Sequence, residues 1–135
     1  MRSTLLTTSA ITAVLPVTDM RRACDFYENK LGLRPLGLKP NGQFLFGGGN
    51  GAQIGLYLKE GGTKADHTAI SFKVSDIQEA LVTLETRGVK FEDYDLPGLK
   101  TVNHICSMEG EKAAWFKDTE GNYLCIHQEA AAPSQ

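Results

Sequence analysis

Two stretches of the chain share one design, and this internal repeat limits the fold more than any other feature. Ile11 to Leu33 (ITAVLPVTDMRRACDFYENKLGL) and Thr68 to Phe91 (TAISFKVSDIQEALVTLETRGVKF) follow the same course. Each is an alternating strand ending in Val, then a hydroxyl residue and Asp, then an amphipathic helix closed by Gly. Val17-Thr18-Asp19 matches Val74-Ser75-Asp76, an offset of 57 residues. The chain therefore reads as two copies of one module.

In the second helix Ser75 with Gln78 forms a capping box, in which side chains and backbone amides at the helix start satisfy each other. Ile77, Ala80, Leu81 and Leu84 fall on one face, and Gly88 supplies the left-handed stop. Met20, Ala23, Cys24, Tyr27 and Leu31 make the equivalent stripe in the first helix, with Gly32 as its stop. Cys24 is thereby a core residue.

Further strands follow each helix. In the first copy they are Pro35 to Lys39, Gln43 to Phe46 and Ala52 to Lys59, separated by turns at Asn41-Gly42 and Gly47 to Gly51. The glycines of FGGGNG precede no helical pattern, so they read as a hairpin and not as a phosphate cradle. In the second copy Phe91 to Asp95 reads as a strand, Leu96 to Lys112 as a long loop able to act as a lid, with His104 near its centre, and KAAWFKDTEGNYLCIHQ as the last two strands.

The expected organisation is a single α+β domain over residues 11–128, built from two tandem βαβββ modules at about 11–60 and 66–128. A mixed sheet curves around a concave site. Residues 1–10 read as an N-terminal extension and 129–135 as a flexible tail.

Composition narrows the function classes. A length of 135 residues suits one sizeable core. The net charge is −2, and Arg21-Arg22 is the only adjacent basic pair, so no basic stripe invites nucleic acid. Apolar runs stay well short of the roughly 20 residues a membrane span needs, and the start MRSTLLTTSAITAVLPV reads as a strand in preference to a signal peptide. Cys24, Cys106 and Cys125 are widely spaced and odd in number, which points to reduced thiols in the cytoplasm.

Strand alternation then divides core from site. Ala13, Leu15 and Val17 form one apolar set, leaving Thr12, Val14 and Pro16 opposite. Thr68, Ile70, Phe72 and Val74 face their helix, which turns His67, Ala69, Ser71 and Lys73 toward the site. Ile54, Leu56 and Leu58 leave Gln53, Gly55 and Tyr57 opposite. Ala114, Phe116, Leu124 and Ile126 fit the core, so Trp115, Tyr123, Cys125 and His127 face inward. The ligand-binding set expected from this count is Thr12, Tyr57, His67, Ser71, Trp115, Tyr123, Cys125 and His127.

The segments LPVTDMRRACDFYENKLGL, ISFKVSDIQEALVTLETRGVKF and WFKDTEGNYLCIHQ resemble the vicinal oxygen chelate superfamily, the glyoxalase, bleomycin resistance protein and extradiol dioxygenase group, from Ile11 to Gln128. The resemblance implies one divalent metal held by His and Glu on equivalent strands of the two modules. The positions that match those ligands carry Thr12, Ala69, Gly55 or Tyr57, and Cys125. None is the expected ligand type, so no metal and no other cofactor is expected.

Three local alternatives compete with pocket wall. His67, Cys125 and His127 could form a shifted site for a softer ion such as zinc. Cys125 and His127 could be a nucleophile and its base, although side chains two apart on a strand diverge by ~7 Å. Trp115, Tyr57 and Tyr123 could stack a planar ligand, with His67 and Ser71 as polar handles, or could simply fill the barrel. The expectation is metal-independent binding of a small, partly apolar or aromatic molecule by a homodimer, with no nucleic-acid or membrane partner. The alternatives are a glyoxalase-like lyase or isomerase with a non-standard metal site, and a regulatory interaction module.

Overall fold

The computed structural model describes residues 6–130, and in its two four-stranded sheets the order strand, helix, three strands occurs twice, with a small separate hairpin inserted after the second helix. The chain divides into two units between Gly62 and Thr63, in the gap between the expected modules.

In the first unit β1 (Thr12–Val17) leads to α1 (Met20–Asp25), then β2 (Arg34–Leu38), β3 (Phe44–Gly47) and β4 (Gln53–Leu58). The sheet order is β1-β4-β3-β2, with β1 and β4 parallel and the other pairs antiparallel. Asp19 caps α1 by accepting the amide of Arg22 at 3.1 Å. The helix then widens into a π turn, Phe26–Lys30, and Gly32 ends it at φ +75°. The wider turn rotates the expected stripe. Phe26 and Tyr27 are both buried, whereas Met20, Cys24 and Leu31 are only half-buried. Tyr27 packs against Phe26 at 5.6 Å and Phe46 at 6.0 Å, over a floor of Leu15, Val17, Ile54 and Leu56. Leu58, counted with that floor by alternation, ends its strand exposed.

The second unit holds β5 (Thr68–Lys73), α2 (Ile77–Thr86), a two-residue hairpin β6 (Asp95–Leu96) and β7 (Leu99–Lys100), β8 (Cys106–Met108), β9 (Glu111–Lys117) and β10 (Tyr123–Gln128). Its main sheet runs β5-β10-β9-β8, again with the first pair parallel. Ile77 and Leu81 of α2 are buried, and Phe91, Ala114, Phe116, Leu124 and Ile126 are buried in the same unit. Phe91 meets Phe116 edge-on at 5.3 Å.

Three details differ from the sequence reading. The α2 cap is Asp76, whose carboxylate accepts the Glu79 amide at 3.1 Å, in place of Ser75. An ionised acceptor on extended backbone is a strong cap, and Asp19 does the same in the first unit, so the repeated Asp is the capping residue. Second, Phe91 to Asp95 is not a strand of the main sheet. Phe91 makes one isolated bridge to Phe116, and the strand matching β2 is β8. Third, residues 96–112 are largely ordered into the β6–β7 hairpin, a Val102–Ile105 turn and the β8–β9 hairpin. The last turns on Glu109 and Gly110 at φ +52° and +87°, a two-residue geometry for which Glu gives little sequence signal.

Glu129 and Ala130, expected as the start of a loose tail, are held. Glu129 pairs with Lys73 at 3.2 Å, and the Ala130 amide donates to the Glu111 carboxylate. The rest of that tail and the first five residues of the N-terminal extension lie outside the described residues. Among the described residues no helix is long and apolar enough to cross a membrane.

Candidate functional site

The site face of the second unit is set by the turn between β9 and β10. Asp118 is buried, and one of its oxygens accepts the amides of Glu120 and Asn122, both at 2.8 Å. The other accepts the Asn122 side-chain amide at 2.9 Å. This knot fixes the register Tyr123↔Lys117, Cys125↔Trp115 and His127↔Ala113. On the other flank of β10, Cys125 pairs with Ser71 and His127 with Lys73. Paired residues share a face, so Ser71, Lys73, Trp115, Tyr123, Cys125 and His127 form one patch, as alternation predicts.

Thr68 departs from that count. The β5–β10 register steps from Tyr123↔Thr68 to Leu124↔Ile70, a bulge that leaves Ala69 outside the ladder. Thr68 therefore faces the site and not its helix, and its hydroxyl accepts the Trp115 indole N–H at 3.1 Å. His67 precedes the strand and is exposed, so the alternation that placed it in the patch does not reach it.

Trp115 is held from two sides. Its ring meets Tyr94 edge-on at 5.7 Å, 83° between planes, while Thr68 fixes its polar end. Tyr123 carries the Lys117 ammonium 4.9 Å above its ring. Burial pushes the Tyr94 hydroxyl pKa up, with Glu92 and Tyr123 adding to it. Tyr94 belongs to this aromatic cluster but was hidden in a segment read as an ordinary strand.

Polar groups lie on the same patch. Ser71 Oγ is 2.6 Å from His127 Nδ1, and His127 Nε2 is 3.4 Å from a Glu129 oxygen. The other Glu129 oxygen meets Lys73. Lys73, and then His127, hold the Glu129 carboxyl below its ordinary pKa. Glu129 is thus a member of the patch that the sequence reading placed in the tail.

Cys125 is buried between these groups. Burial raises its thiol pKa, and Ser71 and the Ala114 backbone pull it down by less. The thiol donates to the Ile126 carbonyl at 3.3 Å. It is a wall group whose raised pKa disfavours the thiolate, and His127 turns its two ring nitrogens to Ser71 and Glu129, so the Cys125–His127 nucleophilic pair does not form.

In the first unit Thr12 and Tyr57 lie on β1 and β4. The Thr12 hydroxyl donates to Gln53 at 3.3 Å, and Tyr57 is half-buried. Gly55 is roofed by Gln43 and Leu45, and a Cβ there would lie 2.7 Å from Gln43 Oε1.

The donor set does not fit the divalent ion that the resemblance implies. The four matching positions hold a hydroxyl already bonded to Gln53, a bulged Ala, a covered Gly or the half-buried Tyr57, and a buried thiol. Among the described residues no group of three or more His, Cys, Asp or Glu is placed to hold a metal. The shifted His67, Cys125 and His127 arrangement is not such a group either. His104 lies apart from the patch. Its buried Nδ1 lies 3.0 Å from Asp93 without making a hydrogen bond, and its Nε2 is 3.5 Å from Glu85 on α2.

The family model described as the Glyoxalase/Bleomycin resistance protein/Dioxygenase superfamily matches residues 10–126. A solved member of that superfamily from Sphaerobacter thermophilus DSM 20745 is 31% identical, with TM-score 0.70, covering 93% of this chain and 100% of that one. TnmS3, an antibiotic binding protein from Streptomyces sp. CB03234, has 20% identity and TM-score 0.71, with 94% and 100% covered. Lactoylglutathione lyase from Agrobacterium tumefaciens has 17% identity and TM-score 0.67, with 90% and 93% covered. These two share the fold. A search of curated proteins finds no match. With the paired strand–helix–three-strand units and a family match over nearly the whole chain, the protein belongs to the glyoxalase/bleomycin resistance protein/dioxygenase superfamily.

Proposed function

We propose that the protein binds a small, partly aromatic molecule without a metal. The observation that carries this reading is the patch on the second unit: Trp115, oriented by Thr68 and Tyr94, beside the polar chain Ser71–His127–Glu129. An oriented aromatic surface with a few placed polar groups is the chemistry of a small-molecule site. The antibiotic-binding protein of the same fold supports sequestration as a role for such a scaffold. The three free cysteines are consistent with a reducing, cytoplasmic setting, and we include a homodimer in the proposal.

A second reading, a metal-free lyase or isomerase, draws on one observation. Ser71, His127 and Glu129 are linked in the order needed to pass a proton from a hydroxyl to a base steadied by a carboxylate.

Native mass spectrometry of the purified protein tests the proposal. The expected spectrum is a dimer without stoichiometric metal that gains one aromatic ligand per chain. A stoichiometric divalent ion retained by the native protein overturns the metal-free reading.

A further inference from the structure

The hydrogen-bond polarity of the patch selects the ligand, and this inference rests on the binding role proposed above. The Glu129 carboxylate is an acceptor only, held ionised by Lys73 at 3.2 Å. It faces His127 Nε2 at 3.4 Å, which favours the tautomer with the ring proton on Nε2. Nδ1 is then a bare acceptor. The short contact of 2.6 Å to Ser71 therefore requires the Ser71 hydroxyl to donate its one proton to His127. The competing acceptor for that proton, the Cys125 sulfur, is a weak acceptor beside an imidazole nitrogen, and the 2.6 Å contact is to His127. Ser71 is exposed, and with its proton committed it offers the site only oxygen lone pairs.

We infer that Ser71 is a specificity residue that accepts a hydrogen bond, and that the ligand is a hydroxyarene whose O–H points at Ser71 while its ring lies against Trp115. A methyl ether of the same arene keeps the ring and loses the donor, leaving the Ser71 oxygen covered and unpaired. One hydrogen bond lost in this way weakens binding roughly fivefold to tenfold.

The test is equilibrium dialysis of the full chain at pH 7.5 with 1-naphthol and 1-methoxynaphthalene, for the wild type and Ser71→Ala. The expected result is a roughly fivefold to tenfold preference for the naphthol that disappears in the variant. Equal binding of the two probes by the wild type overturns the inference and leaves the binding role standing. A preference that survives in Ser71→Ala assigns the selectivity to another group and also overturns it. Binding of neither probe overturns the binding role and the inference together. Nitrogen NMR of wild-type His127 gives an independent check that needs no variant. A proton on Nε2 and a bare Nδ1 is the expected tautomer, and a proton on Nδ1 refutes the assignment.

Discussion

Asp118 is the residue whose removal should cost the second unit most per atom deleted. Asp118→Ala strips the acceptor from three N–H groups. The Glu120 amide can recover water, and contributes little. The Asn122 backbone amide and side-chain amide, in a residue only 4% exposed, each lose their bond to Asp118, at about 1–3 kcal/mol apiece. The expected loss is about 3–5 kcal/mol, a large share of the roughly 5–15 kcal/mol that holds a domain folded. Asp118→Asn is the control. Both backbone amides go to the same oxygen, which an amide retains, and only the bond from the Asn122 side chain is replaced by a donor facing a donor. That variant should lose about 1–2 kcal/mol. Urea unfolding followed by circular dichroism measures both. Losses below about 1 kcal/mol in both variants, or equal losses, would show that the knot does not set the β9–β10 register.

Three further outcomes follow from the geometry. Phe116 is fully buried against Phe91, and Phe116→Ala should lower unfolding free energy by about 3–5 kcal/mol in the same assay. The Cys125 thiol has its pKa raised by burial above the ordinary 9.0. Its stabilising contribution is full below that value and is lost as pH climbs through the folded one, so alkylation of Cys125 at pH 7.5 should lag far behind that of the denatured chain by mass spectrometry. The Glu129 pKa is lowered chiefly by Lys73, so its contribution is present above the ordinary 4.5 and is lost as pH falls through the lower folded value. Lys73→Met should move the Glu129 carboxyl titration upward by NMR, and an unmoved titration refutes the pairing.

Much of the fold was legible because the repeat announces itself in alternation, in Asp19 and Asp76 at the helix starts, and in Gly32 and Gly88 at their ends. The π turn was not. It depends on which carbonyl each backbone amide chooses, and Phe26 beside Tyr27 shows only after the fact that two adjacent residues point inward. β8 was hidden because Cys106–Met108 is too short to alternate visibly. That Ser71, Trp115, Tyr123, Cys125 and His127 share one face was readable from the period of two along β5, β9 and β10. Thr68 was misplaced because counting ran through a bulge, and His67 lies before the strand, where alternation no longer applies. Tyr94 and Glu129 were overlooked because neither lies on a strand of the main sheet, and only contacts with Trp115, Lys73 and His127 bring them to the patch.

That bulge also changes what correspondence between relatives means here. Spacing from Asp76 equates Ala69 with a ligand position, but position along the sheet equates Thr68 with it, since Thr68 is what stands beside Tyr123. An engineer introducing a metal centre by sequence register would graft His onto the residue the ladder skips. The graft belongs one residue earlier, where it would cost Trp115 its tether. Installing a ligand there and keeping the indole in place are, in this backbone, competing uses of a single position.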